Sequence, residues 1–269
     1  MGRAINDLIV SDTTERVTLD DNSLIRIDAN GLFYRNLNIL LRDTLLTHQP
    51  EKIIISNVCG QRYIGTNLRQ PVKVEILGIP GNDLGAFMDG PRIEVFGNAQ
   101  DGSGNTMNSG EIIIHGDAGD ILGFSARGGE IFVKGNVGYR VGIHMKEYGD
   151  KKPTVVIGGT AQDFLGEYMA GGVLIVLGLG LSKNEFHRAN FIGTGMHGGV
   201  IYIRGKVEDR QLGKEVSQLE TDADDMSTIE KYVSKFAEYF DYDADEILNG
   251  TFTKLLPLSH RPYGNLYAY

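Results

Sequence analysis

This sequence of 269 residues contains a single cysteine, Cys59. One thiol cannot close an internal disulfide, and no base stands beside it in the chain, so a buried, inert Cys59 is expected over a nucleophile. Positive charge is also scarce, with 26 lysines and arginines against 35 acidic residues and a formal charge of −9. Such a balance supplies no counterion release toward a phosphate backbone or an anionic lipid surface, which argues against nucleic-acid and membrane partners. Long apolar runs are missing. The longest, Val173 to Leu181, is too short to span a bilayer, and the segment from Met1 to Ile5 lacks the apolar core of a signal peptide. A cytoplasmic protein is expected. The six histidines are scattered, with none at metal-ligand spacing to another histidine or to Cys59, and His115 is expected on an outer face. No triad or carboxylate pair can be argued from spacing, so no catalytic, cofactor or metal residue is assigned in this chain.

Glycine, by contrast, is abundant, with 36 residues. Aliphatic segments are each followed by an anchor glycine at Gly78, Gly97, Gly116, Gly135, Gly159, Gly178 and Gly205, at spacings of 19, 19, 19, 24, 19 and 27. A second glycine follows each of the first five anchors by seven residues, at Gly85, Gly104, Gly123, Gly142 and Gly166; after Gly178 an eight-residue insertion delays it to Gly193. The five residues that lengthen the 24 fall in the polar stretch from Lys146 to Lys152. A fixed period with insertions confined to loops marks a solenoid.

The residues four and two before each anchor are aliphatic throughout. They form one column of Val74, Ile93, Ile112, Ile131, Val155, Leu174 and Ile201, and a second of Ile76, Val95, Ile114, Val133, Ile157, Val176 and Ile203. Alternation of this kind belongs to a strand with one buried face. Nineteen residues are too few for a strand and a crossover helix, so the period predicts a right-handed parallel β-helix of seven to eight turns. The anchors are then corners that require either positive φ or close approach to the neighbouring coil, and Gly128-Gly129, Gly171-Gly172 and Gly198-Gly199 mark the corner before the next strand. A phosphate-cradling reading of Gly116 to Asp120 loses, because the motif recurs at every turn and leads into strands rather than a helix. A calcium-binding roll also loses: its period is nine residues, and Asp101, Asp117, Asp120 and Asp163 do not recur regularly.

The repeat divides the chain into residues 1–51, a β-helix over 52–206, and a C-terminal part over 207–269. Phe33, Leu37, Leu40, Leu41 and Leu45 predict an N-terminal helix to about Thr47 that caps the first coil. Ser227 to Glu230 reads as a capping box opening a helix to Phe240, and Asp243 to Glu246 as another, with a stop at Asn249-Gly250. The outward position between the two columns changes from Glu75 and Glu94 to Ile113, Phe132, Val156, Ile175 and Tyr202. Soluble chains seldom leave such a stripe bare, so either the C-terminal helices or a partner protein must cover it, with the helices favoured.

The glycine turns, the stretch Asn57-Val-Cys-Gly-Gln-Arg-Tyr-Ile-Gly65 and the terminal Pro257-Leu-Ser-His-Arg-Pro-Tyr-Gly264 resemble the C-terminal GXGXG β-helix domain of the glutamate synthase large subunit, in its stand-alone form. The resemblance implies a non-catalytic scaffold in glutamate biosynthesis and ammonia assimilation. It places FMN and iron–sulfur clusters on a synthase subunit, and glutamine hydrolysis on an amidotransferase subunit. The corresponding subunit of N-methylglutamate synthase is similar, and so is the solenoid-repeat subunit of formylmethanofuran dehydrogenase. Homo-oligomers also fit. Arg62 and Tyr63, together with His260, Arg261 and Tyr263, are candidate partner contacts, the alternative being that they seal the chain's own seam.

Overall fold

The computed structural model describes residues 16–20, 23–182 and 185–259. Its strands are β1 (Val17–Leu19), β2 (Leu24–Asp28), β3 (Lys52–Cys59), β4 (Lys73–Ile79), β5 (Asp89–Phe96) and β6 (Ser109–Ile114). They continue as β7 (Glu130–Val133), β8 (Thr154–Ile157), β9 (Ala170–Val176), β10 (Gly198–Arg204), β11 (Val216–Glu220) and β12 (Phe252–Pro257). The helices are α1 (Tyr34–His48), α2 (Ala223–Phe240) and α3 (Ala244–Leu248). All twelve strands form one sheet in the order β1 to β10, then β12 and β11. Pairing is parallel from β2 to β10, whereas β1 and the β11–β12 pair close the two ends in antiparallel fashion. Among the described residues no helix is long and apolar enough to cross a membrane.

Both aliphatic columns stand in register as read from the sequence. Val74 pairs with Ile93, Ile112 follows Ile93, and the ladder runs on through Ile131, Val155, Leu174 and Ile201. Every member of both columns is at most 1% exposed, so a one-residue slip anywhere would turn a buried set to the outside. The ladder also extends to Ile25 and Ile27 on β2, paired with Ile53 and Ile55. Leu37, Leu40, Leu41 and Leu45 of α1 join the same core there. Six parallel steps carry the chain from β4 to β10, so the solenoid makes about six turns rather than seven to eight. The ends depart from the period because α1 replaces a coil between β2 and β3, and after β10 the chain leaves through a 3-10 turn at Asp209–Gln211.

The corners explain the glycines, with a division of labour that the repeat did not show. At each coil three alternate residues are left-handed, as at Arg140 (φ +56°), Gly142 (+71°) and His144 (+55°). The central member is always glycine. Alternate left-handed residues turn successive N–H groups in opposite directions: Arg140 donates forward to Asp163 at 3.0 Å and Gly142 back to Leu122 at 2.8 Å. His144 donates forward again, to Glu167 at 3.1 Å. These inter-coil bonds offset the steric cost of φ above zero in non-glycine residues.

The anchor glycines serve another purpose. Gly97, Gly116, Gly135 and Gly159 are not in the left-handed region, although Gly78 (+133°), Gly178 (+58°) and Gly205 (+105°) have positive φ. At Gly116 and Gly135 close approach is the constraint, since a Cβ there would collide with the side-chain oxygens of Asn98 and Asp117. Those oxygens accept the backbone N–H groups of Asp117 at 2.9 Å and Asn136 at 2.6 Å, nineteen residues on. Asp101 and Asp120 do the same for Asp120 and Tyr139, and Asp163 for Asn190. The aspartates that invited a calcium reading are thus rungs of a backbone-capping ladder.

Two local expectations are corrected. Cys59 is exposed, not buried. A bulge between Ile55 and Val58, with Asn57 at φ +57°, adds one residue to β3, so the alternation is reset and Val58 takes the inward position. Helix α2 begins a turn before Ser227: Asp222 caps it, accepting from Asp224 (3.0 Å) and Asp225 (2.9 Å), while Asp225 accepts from the Asp222 N–H at 2.9 Å. The earlier start prevails because it brings Asp225 to tertiary partners, described below.

Candidate functional site

Tyr34, Asn38 and Arg42 recur every fourth residue along the flank of α1 beside its buried leucines, with the exposed Arg35 and Ile39 on the outer side of that row. The corner after β3 sets Arg62 and Tyr63 against this face. The Asn38 amide donates to the Arg62 carbonyl at 2.9 Å, and Arg42 donates to the Thr66 carbonyl at 3.1 Å, tying helix to coil. Tyr63 is left-handed (φ +63°), and its ring lies 5.8 Å from that of Tyr34. Each ring carries a guanidinium, Arg62 at 5.3 Å from the Tyr63 centroid and Arg35 at 5.8 Å from that of Tyr34, within cation–π range. Tyr34, Arg35, Asn38, Ile39, Arg42, Tyr63 and Thr66 line an open groove of about 350 Å³, and Arg62 stands beside it over the Tyr63 ring. Of the predicted contacts, Arg62 and Tyr63 therefore sit together in one surface feature. His260, Arg261 and Tyr263 lie outside the described residues. Tyr34, Arg35, Asn38 and Arg42 were missed, although the helical spacing that buried the leucines already placed Arg35 and Arg42 on the outer side and Tyr34 and Asn38 at the flank.

The outward apolar stripe is covered by the chain itself. Ile113, Phe132, Val156, Ile175 and Tyr202 pack beneath Ile229, Tyr232, Val233, Phe236 and Phe240 of α2. Polar contacts surround this seam: Lys235 binds Glu130 at 2.6 Å and Glu111 at 3.2 Å, and Tyr239 donates to Glu111 at 3.1 Å. His115, on the outer face as expected, stacks on Phe96 and lies 3.0 Å from Glu94. Where α2 ends, the column turns acidic, and Glu75 and Glu94 are held by Lys52, Lys73 and Arg92 at 2.8 to 3.6 Å. Carboxylates neutralised in this way are a structural ladder rather than an acid–base pair. Among the described residues no three metal-ligating side chains converge.

At the start of α2 the Asp225 carboxylate accepts from the Tyr202 hydroxyl at 2.6 Å and from Lys254 at 2.7 Å. Burial pushes this carboxyl up, yet the bonds from Lys254, Tyr202 and the Asp222 backbone outweigh it and hold it below the usual carboxylate range. Its folded pKa lying below the unfolded one, the stabilisation is complete above about pH 4 to 5 and is lost as pH falls through the folded value. Melting temperatures from pH 7 to pH 2.5 should drop more steeply below pH 4 in the wild type than in Asp225→Asn, which should start lower at pH 7. Parallel profiles for the two proteins would remove Asp225 from the acid response.

Three comparisons place the chain among known proteins. Residues 51–258 match the family described as GXGXG motif. An uncharacterized protein of Methanocaldococcus jannaschii is 48% identical over 250 residues, covering 90% of this chain and 95% of that one. A chain of the formyltransferase/hydrolase complex (FhcABCD) of Methylorubrum extorquens, solved with methylofuran, superposes with a TM-score of 0.57. It covers 88% of this chain and 92% of its own length at 19% identity, which shows a shared fold. Glycine at alternate positions, as the family's description has it, is the spacing of the left-handed residues at each corner here. From that corner geometry and a match spanning the whole solenoid, the chain belongs to the GXGXG motif family, the type of the C-terminal domain of the glutamate synthase large subunit.

Proposed function

We propose that this protein is a non-catalytic scaffolding subunit of a glutamate-synthase-type complex, acting in glutamate biosynthesis and ammonia assimilation in the cytoplasm. Glutamine hydrolysis would reside on an amidotransferase subunit, and FMN and iron–sulfur chemistry on a synthase subunit. The observation that carries this reading is the family match over residues 51–258. The physics suits the role: parallel coils stacked at about 4.8 Å make a spacer of fixed length, about 29 Å for the turns between β4 and β10. Arg62 and Tyr63 are the proposed partner contacts of the described chain, and His260, Arg261 and Tyr263 those of its terminus.

A second reading is favoured by the shared fold with a chain of the FhcABCD complex, namely a subunit of a formyl-group-processing assembly. Affinity purification of the tagged full chain from its native host, followed by identification of stoichiometric partners, distinguishes the two. A flavoprotein synthase and a glutaminase, together converting glutamine, 2-oxoglutarate and two electrons from a reductant to two glutamates, are expected. Formyltransferase or hydrolase subunits in their place would establish the second reading, and a chain that elutes alone would end both.

A further inference from the structure

We infer that the groove between α1 and the first corner docks a partner segment that presents, on one face, carboxylate side chains flanking an apolar one. This inference rests on the scaffold reading and names the chemistry of one of its contacts. Arg35, Arg42 and Arg62 have no carboxylate within ion-pair distance among the described residues, and α1 and the first corner bring them close together. Two of these guanidiniums line the groove and the third stands beside it, a cluster of positive charge on a protein of charge −9. On a chain of net negative charge, such a cluster lowers the repulsion that an acidic partner meets and favours its landing there.

The groove is also pre-organised. Tyr34 and Tyr63 hold the Arg35 and Arg62 guanidiniums over their rings, and the Arg42 bond to the Thr66 carbonyl occupies only part of its donor fork. Arg35 and Arg42 stand about 10.5 Å apart along the helix, seven residues at 1.5 Å each. Ile39 lies between them, 50% exposed. Carboxylates flanking an apolar side chain match that order of charge, aliphatic group and charge. Planar guanidiniums favour carboxylates through bidentate bonding, and arginine and tyrosine are the residue types that anchor interfaces.

The test uses the full chain and a fluorescein-labelled peptide of the repeat Glu-Ser-Leu-Ser, which in extended form alternates glutamate and leucine along one face, followed by anisotropy at 50 and 300 mM salt. Saturable binding that weakens at least about tenfold in the Arg35→Glu, Arg42→Glu, Arg62→Glu triple variant, and weakens with salt, is expected. Melting temperature checks that the variant is folded. Ile39→Glu, an exposed helix-surface change that adds a carboxylate to the groove, should weaken binding in the same direction should the triple variant unfold. Equal binding by wild type and variants, no binding by wild type, or equal binding of a lysine–leucine peptide would each overturn the inference. Assembly gives a separate readout. Partners captured equally by wild type and triple variant would refute the groove while leaving the scaffold standing, whereas a wild type that captures none refutes the scaffold and leaves the peptide result to judge the groove.

Discussion

Replacing Gly142 with alanine should lower the unfolding free energy by about 2–5 kcal/mol. The left-handed conformation (φ +71°) costs an L-residue about 1–2 kcal/mol. The new Cβ would also lie 2.9 and 3.0 Å from the two terminal methyl groups of Leu174, a fully buried member of the inner column. Leu174 is locked between Val155 and Ile201, so it cannot yield without disturbing the ladder, and overpacking of this kind costs about 1–3 kcal/mol. Gly149 supplies the control. It too is left-handed (φ +60°), but a Cβ there meets nothing within 4 Å, so its alanine variant should lose only the conformational part, about 1–2 kcal/mol. Denaturant midpoints of both variants against wild type measure the difference. Equal losses would show that the interior tolerates the methyl group and that conformation alone selects glycine at the corners.

Phe236→Ala should cost about 3–5 kcal/mol, the range for deleting a buried aromatic ring. Phe236 is fully buried between the solenoid and α2, with its ring 4.8 Å from that of Phe240 and against the backbone of Gly158. The loss should fall unevenly. Helix α2 is held by its apolar face, whereas the coils beneath are held by their own ladders, so undocking exposes the stripe without unravelling the solenoid. Hydrogen exchange of residues 223–240 should accelerate far more than that of β6 to β9, and binding of an apolar dye should rise. A loss under about 1 kcal/mol with unchanged exchange would mean that the polar ring of Lys235, Asp225 and Lys254 carries the docking instead.

The acid-dependent loss expected through Asp225 acts on this same seam. A chain destabilised by Phe236→Ala should therefore respond to low pH more sharply than either change alone, because both act on one docking equilibrium.

Much of this architecture was legible beforehand, and the reason lies in particular residues. The spacing of Val74, Ile93, Ile112 and Ile131 is a property of the chain alone, and identical steps can only be buried together by stacking identical coils. The same logic read α1 and its buried leucines, and it exposed the stripe from Ile113 to Tyr202 as a surface needing cover. Reading failed where two distant segments negotiate. The corner glycines look alike in sequence, yet Gly142 is fixed by its own φ together with the Leu174 methyl groups beside it, and Gly135 by an oxygen of Asp117 on the coil before. Cys59 was misplaced because the bulge at Asn57 resets the alternation only in the context of pairing with β4. The start of α2 moved because Asp225 has partners in β10 and β12.

The candidate groove divides in the same way. Arg62 and Tyr63 were visible as a motif, and Arg35, Ile39 and Arg42 as an outer helical face, but nothing in the sequence relates the one to the other. By itself, then, the sequence determined the period, the strand faces, the family and the need to cover the apolar stripe, since all of these are repeats or local patterns. Only the tertiary structure decided which helix covers that stripe, which glycines are held by conformation and which by contact, and that three arginines share one surface. Those are distances between residues far apart in the chain, and packing alone sets them.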